Sequence, residues 1–287
     1  YLSFWYWIIA IFVLAIIHEF SHGVVARLHN IKIKSSGFGI LALILPIIPA
    51  AFVEPDEKQL QKKNKKAQLN VLAAGSFSNL LTALLIGIIY LFLIAPHANA
   101  MINYQGVLIT GLKEDYPLEK AGAKIGEEIL SVNNILIKDV FEFKEVMEKT
   151  KPNEELLIKT NVSEYKIITV EHPINKSMGY IGITSAPSIK EKKEGVNQIW
   201  FSVFNWLRYL FFWLAYANLM VGLVNLLPLG IFDGGRMFYL AILFFTKNNK
   251  KLSKKIFGLI TVLMIILILL NLLPRVINWF ITSIKLL

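Results

Sequence analysis

Residues 3–26, SFWYWIIAIFVLAIIHEFSHGVVA, form an almost unbroken apolar run. Crossing the hydrocarbon of a bilayer as a helix takes about 20 such residues. Every backbone N–H and C=O in that medium must find a partner within the protein, so a run of this kind is restricted to a helix. Three later runs share this character. Together they predict spans at 3–27, 67–95, 200–225 and 256–273, with a shorter helix over 234–246 after FDGG. The expected fold class is a polytopic α-helical membrane protein with about four transmembrane helices, in keeping with 55% hydrophobic residues in a chain of 287. The first run is too long for a signal peptide, carries charges and lacks an A-x-A site. With no cysteine in the chain, a metal could be held only by His, Asp or Glu.

The basic residues predict an orientation. Arg27, Lys32 and Lys34 precede the stretch SGFGILALILPIIPAAFV (36–53), and Lys58, Lys62, Lys63, Lys65 and Lys66 follow it. The positive-inside rule puts both clusters on the cytoplasmic side, and a full crossing between them would separate them. Gly37, Gly39, Pro46 and Pro49 interrupt the stretch, and a proline inside a helix costs about 3 kcal/mol. A re-entrant hairpin over 36–53 meets both constraints. Parity then places 97–199 outside the cytoplasm and Lys247, Lys250, Lys251, Lys254 and Lys255 inside. The outer segment carries 13 basic and 15 acidic residues, so it has no positive excess. The net charge of +10 therefore follows membrane topology, and nucleic acid is not an expected partner.

In the outer segment, GVLITGL reads as a strand, and DYPLEKAGAKIGEEILSVNN as a short helix, a strand and a turn at Asn133–Asn134. VFEFKEVMEKT reads as an amphipathic helix, and EELLIKT and EYKIITVEH as two more strands. This order, with P-x-x-x-A-G-x-x-x-G-E-x-I-L-S-V-N, resembles a PDZ domain over about 105–175. The resemblance implies an extracytoplasmic α+β domain with a peptide groove between strand 106–110 and helix 140–149. A domain that only shields or spaces fits the same residues. PSIKEKKEGVN is expected to be a hydrated linker. The expected divisions are 1–96 (first half of the membrane core), 97–190 (PDZ-like domain) and 191–287 (second half).

His18, Glu19 and His22 sit inside the first apolar run. HExxH puts two imidazoles at i and i+4 on one helical face, where both can reach one metal ion, with a carboxylate adjacent to act on water. Ionisable groups at membrane depth are costly and mark functional sites. From Ser3 to His18 is about 22 Å of helix, in a hydrocarbon layer of about 30 Å, so the site lies toward the cytoplasmic end. A catalytic zinc needs a third protein ligand and one open position. His29 is out of phase, and His97 and His172 fall on the other side. The acids available are Glu54, Asp56, Glu57 and Asp233. Asp233, in NLLPLGIFDGGR, shares the depth of the histidines by parity, although an aspartate there could also cap the helix that follows. Glu54 is the runner-up.

HEFSHGVVAR, AAGSFSNLL, the PDZ-like insert and NLLPLGIFDGGR occur in the order found in the site-2 proteases, and the chain resembles that family over nearly its whole length. PAAFVEPDE is similar to the family's hairpin region. The resemblance implies an intramembrane zinc metalloprotease with one Zn²⁺ per chain, held by His18, His22 and Asp233, with Glu19 as catalytic base. It further implies that Asn225 and Asn79 contact the substrate backbone or the developing oxyanion. Implied partners are the lipid bilayer and a transmembrane protein substrate already trimmed by another protease. Ser76 departs from the pattern, since many relatives have proline there. A metal or ion transporter using the same ligands is the alternative. No repeated halves support it, and transit has no use for a free Glu19.

Overall fold

The computed structural model describes residues 4–42 and 46–284, with the side chains of 40–42, 46–49 and 275–284 left out. Ser3, where the first span was expected to begin, and Ile44, within the expected hairpin, lie outside the described residues. The chain forms two compact units, Tyr1–Ala95 with Asn205–Leu287, and Pro96–Phe204.

The first unit opens with α1 (Phe4–Leu28). The helix ends because Asn30 adopts φ 54°. There the amide of Ile31 donates to Ala26 O and that of Asn30 to Arg27 O, both at 2.9 Å, which satisfies the last carbonyls. Ile31 is thereby buried against Ala26, Leu60 and Val71. β1 (Ile33–Ala42) and β2 (Pro46–Pro55) pair antiparallel, so the hairpin expected over 36–53 extends to Ile33 and Pro55. β2 is the strand that packs along α1. α2 (Glu57–Lys62) is capped by Asp56, which accepts from the Gln59 amide at 3.0 Å. α3 (Lys65–Ile89) is capped by Asn64, which accepts from the Ala67 amide at 2.8 Å. A π turn over Tyr90–Ile94 leads into α4 (Ala95–Ala100).

The second unit is α+β. Its elements are β3 (Ile102–Leu108), β4 (Gly111–Leu112), α5 (Pro117–Lys120), β5 (Glu128–Val132), β6 (Ile135–Leu136), α6 (Val140–Lys149), β7 (Glu155–Thr160), β8 (Glu164–Ile168), β9 (Val170–Glu171), β10 (Gly179–Tyr180), β11 (Ile183–Ser185) and β12 (Ser188–Lys192). The main sheet runs β12-β3-β5-β7-β8, with β6 beside β5. Its core is aliphatic: Val107, Ile109, Leu118, Ile129, Leu156, Ile158 and Ile181 are fully buried. Asn133 and Asn134, at φ 49° and 62°, make the predicted turn.

Two expectations are corrected here. Residues 188–192 are not a linker. Ser188, Lys190 and Lys192 pair with Val107, Tyr104 and Ile102, so this charged run is an edge strand. β3 is consequently flanked by β12 and β5, and a peptide cannot add to strand 106–110. The end strands of this sheet are β12 and β8.

α7 (Gln198–Val224) returns the chain to the first unit, and α8 (Asp233–Phe245) and α9 (Lys250–Ile284) complete it. α9 runs on past Pro274, beyond the predicted 256–273. Leu210 and Leu214 of α7 bury Ala10 of α1. Further along the same buried i, i+4 row of α7, Gly222 leaves room for Leu80 and the carbonyl of Ser76 on α3. Among the described residues, four helices, Phe4–Leu28, Lys65–Ala100, Gln198–Val224 and Lys250–Pro274, are long and apolar enough to cross a membrane. Exposed side chains such as Leu84, Leu85 and Phe92 are an apolar surface suited to lipid.

Candidate metal centre

His18 and His22 lie one turn apart on α1 and face α3 at Gly75. A Cβ there would strike both imidazoles, so the site is open only because this residue has none. His22 Nδ1 lies 2.7 Å from the carbonyl of Val71, which can only accept. The ring proton of neutral His22 is therefore on Nδ1, and Nε2 keeps its lone pair. That lone pair faces Asp233 Oδ2 at 3.0 Å and His18 Nε2 at 3.2 Å, while His18 Nε2 is 3.2 Å from the same carboxylate oxygen.

Asp233 is carried to this point by the turn between α7 and α8. The amide of Gly234 donates to Asn225 O at 2.7 Å. A Cβ on Gly234 would collide with the backbone of Leu226, and one on Gly235 with that of Leu229, so both glycines are needed for the close approach. Asp233 is the first residue of α8, and its carboxylate makes no capping bond; it is directed at the histidines.

Three acceptor atoms converging at this spacing repel one another unless a cation sits among them. Ligands about 2.0–2.1 Å from a tetrahedral zinc are about 3.3 Å apart, which the observed 3.0–3.2 Å approaches. A His₂Asp set with a further position open to a cavity fits a catalytic zinc. Among the described residues this is the only group of three or more His, Cys, Asp or Glu able to share an ion.

The open side is a cavity of about 450 Å³ lined by His18, Glu19, His22, Asn225, Asp233 and Arg236, among others. Glu19 Oε2 accepts from the Val53 amide of β2 at 3.0 Å. Asn225 is half-buried in the wall. Asn79 is fully buried and is placed against a candidate ligand: its amide group lies 3.2 Å from His18 Nδ1.

The remaining candidates are elsewhere. Glu54 is 58% exposed and accepts from Ser35 Oγ at 2.9 Å, so the runner-up ligand is not brought to the histidines. Asp56 caps α2, and Glu57 pairs with Arg236 at 2.6 Å. His29 lies beside Asn70, His97 stacks on Phe204, and His172 sits edge-on to Tyr180. Sequence reasoning missed the Val71 carbonyl and the Val53 amide, since backbone groups leave no trace in residue type. It also missed the Glu57–Arg236 pair.

The sequence profile described as Peptidase family M50 matches residues 6–271. An uncharacterized protein of Methanocaldococcus jannaschii is 30% identical over 229 residues, covering 79% of this chain and 54% of the relative; the chain thus spans about half that relative's length. A crystal structure of the PDZ domain of an SdrC-like protein from Listeria monocytogenes is 23% identical and covers 28% of this chain and 87% of that one, at a TM-score of 0.25.

Proposed function

We propose that this chain, which belongs to peptidase family M50 and is therefore a membrane-embedded metalloprotease, cleaves transmembrane segments of membrane-anchored proteins by attack of water on the peptide bond. The observation that carries the reading is the meeting of His18, His22 and Asp233 in one cavity with Glu19. A zinc ion held by His18, His22 and Asp233 would supply Lewis acidity there, activating water and withdrawing charge from a carbonyl.

The chain's own residues do the rest. Glu19 takes the proton of the attacking water and passes it to the leaving amine. The Val53 amide holds one of its oxygens and leaves the other for the proton. Asn225 donates to the developing oxyanion or to the substrate backbone. Asn79 holds the ring of His18.

A transmembrane helix presents no free carbonyl, so the scissile segment must unwind first. The edge of β2 can hold it. Since the Val53 amide points to Glu19 rather than to its partner Ser36, alternation along the ladder also turns Pro49, Ala51 and Pro55 toward that edge. The prolines have no N–H and that of Val53 is taken by Glu19, so Ala51 is the one free donor on that stretch. The active site then lies toward the cytoplasmic side. The PDZ-like unit lies outside, where it admits substrates already trimmed or holds the stub of an earlier cut.

The test is Glu19→Gln in purified protein returned to vesicles with a membrane-spanning peptide. We expect zinc to remain bound at one per chain and cleavage to vanish. Undiminished cleavage would sink the assignment of Glu19. Zinc flux across the vesicle wall that survives the substitution, in a wild-type protein that cleaves nothing, would favour the transporter instead.

A further inference from the structure

Beside the metal cavity is a second one, of about 700 Å³, that the proposed reaction does not use. Lys65, Lys250, Lys254 and Arg236 line it, and the one acid in its wall, Glu57, is already paired with Arg236 at 2.6 Å. The three lysines make no ion pair among the described residues. They come from opposite ends of the sequence: Lys65 opens α3, while Lys250 and Lys254 lie in the first turns of α9. All three are exposed to solvent, and an anion held among them would be attracted by each. The rest of the wall holds the amides Gln61 and Gln68 and an apolar part, with Leu60, Leu240 and Leu243 and the edge-to-face pair Tyr239–Phe257.

We infer that this cavity binds the phosphate headgroup of an anionic phospholipid, with Lys65, Lys250 and Lys254 on the phosphate and Tyr239, Leu240 and Phe257 against the start of the acyl chain. A soluble anion would have no use for the apolar wall. Phosphate-bearing lipid is also what surrounds the ends of membrane-spanning helices. Glu57 and Arg236 line both cavities, so an occupant competing with Glu57 for Arg236 would act on the wall of the metal site. The inference rests on the membrane reading of the chain and not on its proteolytic activity.

The test is titration of the full chain in neutral detergent with short-chain phosphatidylglycerol, short-chain phosphatidylcholine or inorganic phosphate, following the thermal unfolding midpoint. Wild type is compared with Lys65→Gln/Lys254→Gln and with Lys66→Gln/Lys251→Gln. The second pair removes one lysine from each of the same two clusters, but neither residue lines the cavity. We expect saturable stabilisation by phosphatidylglycerol that the cavity pair weakens about thirtyfold, at roughly fivefold per lysine, while the outer pair changes it less than about threefold. Equal losses in the two pairs would mean general attraction to basic surface and would overturn the site. Stabilisation by inorganic phosphate at equal concentration, with the same lysine dependence, would assign the cavity to a soluble anion and overturn the lipid. Either failure leaves the proteolytic reading standing, because no cleavage is measured.

Discussion

The side-chain nitrogen of Asn79 lies 3.2 Å from Nδ1 of His18, and its buried oxygen has no hydrogen-bond partner. The two ends of an amide are alike in shape, so chemistry decides which one faces the ring. When His18 Nε2 is a metal ligand, Nδ1 carries the ring proton and the amide oxygen accepts it. This satisfies the buried oxygen and orients the ligand. Asn79→Ala should therefore weaken metal binding by about 10–100-fold, measured by competition with a chromogenic chelator. A raised KM for peptide with unchanged metal affinity would instead make Asn79 a substrate contact.

Gly75 should tolerate no side chain. Gly75→Ala places a methyl group where the imidazoles of His18 and His22 now lie, and α3 cannot retreat while Leu80 is packed on Gly222. Metal content should fall to near zero in protein that still purifies as a folded monodisperse species. Retention of a full equivalent of zinc would contradict the packing.

The Val53 amide can be removed without touching a side chain of the metal centre. Val53→Pro deletes the donor to Glu19, whereas Val53→Ala keeps it. General-base catalysis contributes about 10²–10⁴-fold, and a misdirected carboxylate should forfeit much of it. We expect a fall in kcat of at least about tenfold for the proline variant, with metal content intact, and little change for the alanine variant. Similar kcat values for the two would remove the amide from the mechanism.

Asp233 and Glu54 were the leading acids in sequence, and the structure separates them. Asp233→Asn should lose most of its metal on dialysis, and Glu54→Gln should keep a full equivalent, by elemental analysis of the purified proteins. The reverse result would require β2 to turn its outer face toward α1.

In the second unit, buried Glu127 accepts from Tyr165 Oη at 2.9 Å and from Thr160 Oγ1 at 2.9 Å. Burial, and then the Glu127 carboxylate, raise the pKa of Tyr165 above its ordinary value. The neutral phenol is thus the favoured form in the fold. Its contribution is complete below the ordinary tyrosine range, near pH 10, and is lost as pH rises through the higher folded value. Tyr165→Phe should destabilise the unit by about 1–3 kcal/mol at neutral pH, read as faster amide exchange in β7 and β8. Unchanged exchange would show that water replaces the phenol.

The apolar runs alone determined that this chain has helices able to cross a membrane, because hydrocarbon leaves a long apolar segment no other way to satisfy its backbone. HExxH likewise determined that two imidazoles share a face, because the helical repeat dictates it. What residue types could not decide was the third ligand, since Glu54 and Asp233 are both acids beside apolar segments. That choice was made by tertiary structure: the close approach allowed at Gly234 and Gly235 swings Asp233 onto the histidines, while strand pairing turns Glu54 toward Ser35. The edge strand at 188–192 was hidden for the same reason. Its charges read as a linker, and only pairing with β3, some 80 residues away in the chain, makes it a strand. Local periodicity is written in neighbouring residues; contacts made by backbone groups and by the absence of a Cβ exist only once distant segments meet.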